Sequence, residues 1–319
     1  MKTKISLLIK VLPLVAACAL SAQGKKLPSM GGEIFEIWNT GNTPGSVCAA
    51  HEELTREPPR EFAVNVSVAR LEFFPSKNAQ KSGLLLVCPG GGYFGMAVNH
   101  EGLQIAKWAN ERGMAACVLW YRVPDNMQGA LQDVQRAIRF SRANAEKWNI
   151  DPNKIAVIGF SAGANLCARA STWFDEKTYK PVDGIDKLSA RPDLTCLIYP
   201  AYCDAPTFAK YKLAPAGTQI DAPDYNSEYA LAANLPVDSS SPEAFIVQTL
   251  DDKNYKNSSV AYALALKKAG VPATLFLCDA GGHGFGLGQN KADKLVSMWP
   301  QLLDKLLTLR GFKSDNKQQ

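Results

Sequence analysis

The first residue in this chain whose surroundings suit covalent chemistry is a serine flanked by glycines. Gly159-Phe160-Ser161-Ala162-Gly163 lies between IAVIGF, an apolar run that reads as a strand, and ANLCARAS, which reads as a helix. A serine on so sharp a strand-to-helix turn has strained backbone angles. It needs small residues two positions to either side, and its hydroxyl then stands above the sheet edge. The helix that begins there offers unpaired N–H groups and partial positive charge to an oxyanion. Ser161 is therefore the candidate nucleophile and the N–H of Ala162 a candidate oxyanion donor.

A serine hydroxyl attacks only when a base takes its proton, so this reading requires a histidine. The chain has three. His51 precedes the core and His100 precedes the serine, where a helix-capping or buried hydrogen-bonding role competes with substrate contact. His283 lies in Ala280-Gly281-Gly282-His283-Gly284-Phe285-Gly286, directly after the last strand-like run, ATLFLC. The imidazole needs a carboxylate to fix its tautomer. Asp251-Asp252 follow the strand-like AFIVQTL between serine and histidine; Asp252 is the choice and Asp251 the alternative. Pro89-Gly90-Gly91-Gly92-Tyr93 follows another strand. Consecutive glycines let backbone N–H groups approach a carbonyl oxygen unobstructed, which adds Gly91 and Gly92 to Ala162 as oxyanion donors. A phosphate cradle is disfavoured because neither a Gly-Lys-Ser/Thr ending nor G-x-G-x-x-G with a downstream acid is present. No metal or organic cofactor is needed for this chemistry.

These residues require a sheet that brings several strand ends together, and the periodicity supplies one. Strands are expected at Asn65–Phe74, Gly83–Cys88, Ala115–Trp120, Lys154–Gly159, Leu194–Tyr199, Ala244–Leu250 and Ala273–Cys278. Helices are expected at Glu101–Arg112, Ala130–Trp148, Ala162–Trp173, Ser259–Ala269 and Ala292–Leu309. Strands separated by helices of this length form right-handed parallel β-α-β units, so the fold class is α/β with one mainly parallel sheet and helices on both faces. The catalytic domain is expected over 61–312, after an arm or linker at 23–60 and before a polar tail at 313–319. Residues 203–241, with prolines at 206, 215, 223 and 236, interrupt the alternation and read as a cap or as a surface insertion.

Composition sets the outer limits. With 46% hydrophobic and 20% charged residues, the 319-residue chain has an ordinary globular balance, which excludes low-complexity disorder and a multi-span membrane protein. The formal charge of +5 includes Lys2, Lys4 and Lys10 in a leader without acids; the remainder gives no reason to expect a nucleic-acid partner. Residues 1–22 have the basic, apolar and small-residue layout of a bacterial export signal. Two endings fit. Leu20-Ser21-Ala22 suits ordinary cleavage, and Val15-Ala16-Ala17-Cys18 suits a lipoprotein box with a lipid anchor at Cys18. Both place the mature protein outside the cytoplasm, in the periplasm, on the outer membrane or secreted. The eight cysteines do not space as a disulfide framework; most sit in apolar runs as small buried hydrophobes, and only Cys48 and Cys203 lie in loop-like sequence.

With these residues placed, the chain resembles the α/β-hydrolase esterases of the BD-FAE (bifunctional feruloyl and acetyl-xylan esterase) and acetyl-xylan esterase group, related to the hormone-sensitive-lipase type. The likeness spans about residues 65–310 and rests on PGGGY at 89–93, HEG at 100–102, YRVP at 121–124, ALQDVQRAIR at 130–139, GFSAGANL at 159–166, QTLDD at 248–252, ALKKAGVPA at 265–273 and GGHGFG at 281–286. It implies Ser161 as nucleophile, His283 as base and acid, Asp252 as its orienting carboxylate and the PGGGY loop as the oxyanion site. Acetyl groups on a plant polysaccharide such as xylan are the implied substrate. Feruloyl or general carboxylesterase, a serine peptidase of the same fold and a silent carbohydrate-binding protein are the rivals. Proline stands at 89 where many lipases have histidine, and Asp252-Lys253-Asn254-Tyr255-Lys256 replaces a usual Val-Pro turn. Of the aromatics flanking the motifs, Tyr93 and Phe285 are expected to line the acyl or sugar pocket, with Phe94 and Tyr121 beside them.

Overall fold

Alternation along the central strand shows how the core is divided. In the computed structural model Leu84, Leu86 and Cys88 join one apolar cluster and Leu85 and Val87 another, all fully buried. Successive side chains point to opposite faces, so a strand apolar at every position must be covered on both. Residues 27–39, 43–45, 51–57, 60–78, 80–210, 228–291 and 294–313 are described. The leader at 1–22 with Cys18, Cys48, residues 211–227 of the expected cap and the tail from 314 lie outside them.

The strands are β1 (Glu33–Glu36), β2 (Glu53–Leu54), β3 (Ala63–Val64), β4 (Arg70–Phe74), β5 (Ser82–Cys88), β6 (Ala115–Trp120), β7 (Ile150–Phe160), β8 (Leu194–Ile198), β9 (Ala244–Thr249) and β10 (Ala273–Cys278). The helices are α1 (Gln104–Glu111), α2 (Met127–Ala143), α3 (Ala162–Ala170), α4 (Ala205–Lys210), α5 (Lys256–Lys268) and α6 (Trp299–Leu309). Eight strands form one sheet in the order β1-β4-β6-β5-β7-β8-β9-β10, while β2 and β3 pair apart from it. From β6 to β10 every pairing is parallel; β4 runs antiparallel to β6, and β1 antiparallel to β4. Side chains of α2, α3 and α5 enter one cluster with Trp38, Phe73 and Trp148, and those of α1 and α6 enter the other with Trp108 and Phe160. The fold class is therefore α/β with a mainly parallel sheet covered on both faces.

Local departures from the expected boundaries have identifiable causes. Asn65 has φ +60°, which ends pairing after β3, so the expected Asn65–Phe74 strand begins at Arg70. The expected last helix begins at Trp299, after a short 3₁₀ turn at Leu295–Met298. Pro300 occupies its first turn, the place where a missing N–H costs nothing, whereas deeper in a helix its ring would clash with the preceding turn. The expected arm contributes an edge strand: Phe35 of β1 packs on Phe73, Phe140 and Trp148. At the flanks of residues 211–227, Phe208, Ala232 and Leu235 are buried against the body. All six described cysteines, Cys203 among them, are buried free thiols.

Candidate active site

Because β5, β7, β8, β9 and β10 run parallel, their C-terminal ends open onto one sheet edge, where the following loops meet. Ser161 leaves β7 with φ +52° and ψ −119°, a backbone conformation that side-chain-bearing residues rarely hold. Its N–H donates to Ile198 O at 3.1 Å, and its own carbonyl accepts from Ala164 and Asn165 at the start of α3. The flanking glycines are steric requirements. A Cβ on Gly159 would lie 2.2 Å from Gly163 O, and one on Gly163 would lie 2.1 Å from Cys88 O.

The loop after β10 brings His283 to the serine. Ser161 Oγ and His283 Nε2 are 2.7 Å apart, and His283 Nδ1 is 2.7 Å from Asp252 Oδ2. A carboxylate only accepts, so Nδ1–H donates to it, leaving Nε2 to accept the serine hydroxyl. Asp252 is 1% exposed; its Oδ1 accepts from the N–H groups of Asn254 and Tyr255, and its Oδ2 also from Gln248. Burial raises its carboxyl pKa, but the bond and charge of His283 and the two backbone donors outweigh burial and hold it below the usual carboxylate value. Asp251 faces elsewhere. It accepts from the N–H of Gly281 and, at 2.7 Å, of Gly282, so it braces the loop that carries the histidine. The structure thus brings Asp252, not Asp251, to the imidazole.

The glycine loop after β5 is fixed by its own polar groups. Tyr121 Oη donates to Pro89 O at 2.6 Å, Ala97 N–H donates to Gly90 O, and Gly90 N–H donates to Glu101 Oε2 at 2.7 Å. Gly91 has φ +147°, and a Cβ there would meet Gly95 O at 2.1 Å. Among the described residues none accepts a hydrogen bond from the N–H of Gly91, Gly92 or Ala162. These donors belong to residues beside Ser161: Gly90 Cα points toward it so closely that an added Cβ would lie 2.9 Å from Ser161 Cβ.

A cavity of about 660 Å³ opens over Ser161 and His283, lined also by Phe62, Gly91, Gly92, Phe94 and His100. Three expected lining residues are corrected. Tyr121 is fully buried, with its hydroxyl on Pro89 O. Tyr93 is 1% exposed and spends its hydroxyl on Asn165 Oδ1 at 2.8 Å; Phe285 is 2% exposed and packs edge-on against Tyr199 at 4.4 Å. Phe94, expected beside them, does line the cavity and is 61% exposed. Tyr93 turns inward because its backbone is itself in the left-handed region, φ +62°. His100 Nε2–H donates to Gly284 O at 2.9 Å, and its ring leaves no room for a side chain at Gly286, so it clamps the histidine loop. Sequence reasoning assigned no role to Glu101, Tyr199 or the cavity's cations Arg56, Arg60 and Lys291. The HEG run at 100–102, one mark of the family likeness, is the sequence signal at Glu101.

The reversal at β4, the parallel run from β6 to β10 and the strained serine turn define an α/β hydrolase. Within that class the chain belongs to the BD-FAE family of esterases. The family model matches residues 72–190. The crystal structure of an acetyl ester-xyloside bifunctional hydrolase from Caldicellulosiruptor lactoaceticus is 32% identical, with a TM-score of 0.72 over 92% of this chain and 100% of that one. An acetylxylan esterase of Xylanibacter ruminicola is 29% identical over 72% of this chain and 47% of its own length. The endo-1,4-beta-xylanase B of Butyrivibrio fibrisolvens is 33% identical over 69% of this chain and 34% of its own. The chain spans less than half the length of either of these two relatives.

Proposed function

We propose that this protein is an exported serine carboxylic-ester hydrolase that removes acetyl or other small acyl groups from a plant polysaccharide such as xylan. The observation that carries the reading is the unbroken hydrogen-bonded series Ser161–His283–Asp252 beside three backbone donors that have no acceptor among the described residues. In the first half-reaction Ser161 Oγ attacks the ester carbonyl while His283 Nε2 accepts its proton. The oxyanion takes hydrogen bonds from Gly91, Gly92 and Ala162, each such donor being worth about 10²- to 10³-fold in rate. Collapse expels the sugar alkoxide, which takes the proton from the imidazolium, and leaves an acyl-serine. Water, deprotonated by the same imidazole, attacks that ester and releases the acid and the free serine. Asp252 keeps the proton of His283 on Nδ1 throughout and stabilises the transient imidazolium.

The acetylxylan esterase and acetyl ester-xyloside hydrolase relatives support acetylated xylan as the substrate class. Export rests on the leader at 1–22, with or without a lipid on Cys18. Incubation with acetylated xylan should release acetate faster than an equimolar feruloyl ester releases ferulate, with no cleavage of peptide substrates. Faster ferulate release would move the acyl preference to aromatic acids, and peptide cleavage without acetate release would replace the esterase reading.

A further inference from the structure

Glu101 is a buried carboxylate that the reaction sequence above leaves without a role. It is 5% exposed and sits in the turn leading into α1. Each of its oxygens is engaged. Oε2 accepts the Gly90 N–H at 2.7 Å, and Oε1 accepts the Tyr199 hydroxyl at 2.8 Å. The Tyr199 oxygen in turn accepts the Gly286 N–H at 3.0 Å, three residues beyond His283, and Tyr199 also lies edge-on to the imidazole with ring centroids 5.0 Å apart. A continuous path therefore runs from the oxyanion loop through one carboxylate and one phenol to the histidine loop. Glycines 90–92 have no side chains with which to hold their own peptides, so the direction of the Gly91 and Gly92 N–H groups depends on anchors such as this one. Burying a carboxylate is costly, and this one bonds the oxyanion loop directly at Gly90 and the histidine loop through Tyr199, just past β8.

Resting on the hydrolase reading, we propose that Glu101 is a positioning residue that ties the oxyanion loop to the His283 loop through Tyr199. Glu101→Ala removes both bonds and is expected to lower kcat, per active site titrated with a phosphonate, by about 10²-fold with KM little changed. Glu101→Gln restores an acceptor for Gly90 and donates its NH₂ to the Tyr199 oxygen, so it should recover kcat to within about tenfold of wild type. Tyr199→Phe cuts the path at its second step and serves if the alanine variant does not fold. Hydrogen exchange over peptides covering 89–97 and 281–288 supplies a readout independent of turnover: Glu101→Ala should speed both segments, Tyr199→Phe the second. Unchanged kcat in Glu101→Ala, no rescue by Gln, or exchange altered in 89–97 alone would overturn the link. If wild type cleaves no ester the functional reading falls, and exchange still decides the link.

A separate observation concerns charge in the cavity. Arg56 and Arg60, from the segment before β3, and Lys291, beyond the histidine loop, line the same space as Ser161. The Arg56 guanidinium stacks 4.5 Å above the Phe62 ring, which faces the glycine loop. Among the described residues the one carboxylate lining the cavity is Glu101, whose oxygens are taken, and none of the three cations has an ion-pair partner. On the same hydrolase reading, we infer that the site selects esters whose alcohol portion carries a carboxylate, as an acetylated oligosaccharide bearing a uronic acid does. The test compares kcat/KM for acidic and neutral acetylated xylo-oligosaccharides of equal length. The acidic one should lead by roughly fivefold at low salt, the scale of one or two partly exposed ion pairs, and the ratio should fall toward one in Arg60→Gln/Lys291→Gln and in about 0.5 M salt. Titrating Ser161→Ala with both sugars reads the preference without turnover. A neutral preference, or a ratio indifferent to both the variant and salt, would overturn the inference.

Discussion

Ser161→Ala is expected to lower hydrolysis of p-nitrophenyl acetate by roughly 10⁴- to 10⁶-fold while leaving the protein folded. The size follows from what the hydroxyl does in this geometry. Among the described residues it is the hydroxyl held against His283 Nε2, 2.7 Å away, and on the proposed mechanism it forms the acyl intermediate. Once the hydroxyl is gone, the oxyanion donors and the cavity still bind an ester, so residual catalysis over water remains but turnover through an acyl-enzyme does not. The stability cost is small because the imidazole left behind is partly open to solvent, with 29% of its side chain exposed. Rates, thermal unfolding and intact mass after treatment with a phosphonate check this together: wild type should gain one phosphonyl group at residue 161 and the variant none. A variant that retains wild-type hydrolysis would remove the serine from the mechanism.

Much of this arrangement could be read before any coordinates because it depends on periodicity and chain order. Apolar runs separated by helices dictate a parallel sheet, parallel strands end on a common edge, and residues just past the runs ending at 88, 159, 250 and 278 must gather there. The spacing could not say which way a side chain turns once it arrives. Tyr93 and Phe94 are neighbours, yet the positive φ at Tyr93 sends one ring into the core and leaves the other over the cavity. Edge strand β1 escaped notice because four residues with one packed aromatic do not make a period. Glu101 and Tyr199 are 98 positions apart, and no local pattern encodes a bond of that separation.

The second large effect distinguishes two adjacent carboxylates. Asp252→Asn is expected to reduce kcat by about 10⁴-fold with KM near wild type, whereas Asp251→Asn should cost no more than about tenfold. The reason lies in the donors surrounding each group. Asn254 and Tyr255 both direct N–H groups at Asp252 Oδ1, so an asparagine there must keep its oxygen on that side. Its NH₂ then faces His283 Nδ1, which can only respond by becoming an acceptor. The ring proton moves to Nε2, where it opposes the serine hydroxyl instead of receiving its proton. At Asp251 the same substitution is mild: one oxygen already accepts from both Gly281 and Gly282, and an amide oxygen can do so too. Stability provides an independent check. The folded-state pKa of Asp252 is depressed, so its ionised form contributes stability that is present above about pH 4, the usual unfolded value, and is lost as pH falls through the folded value. Urea unfolding should therefore find wild type more stable than Asp252→Asn at neutral pH, with the two converging in acid. Equal kcat losses at 251 and 252 would show that bracing the loop matters as much as fixing the tautomer.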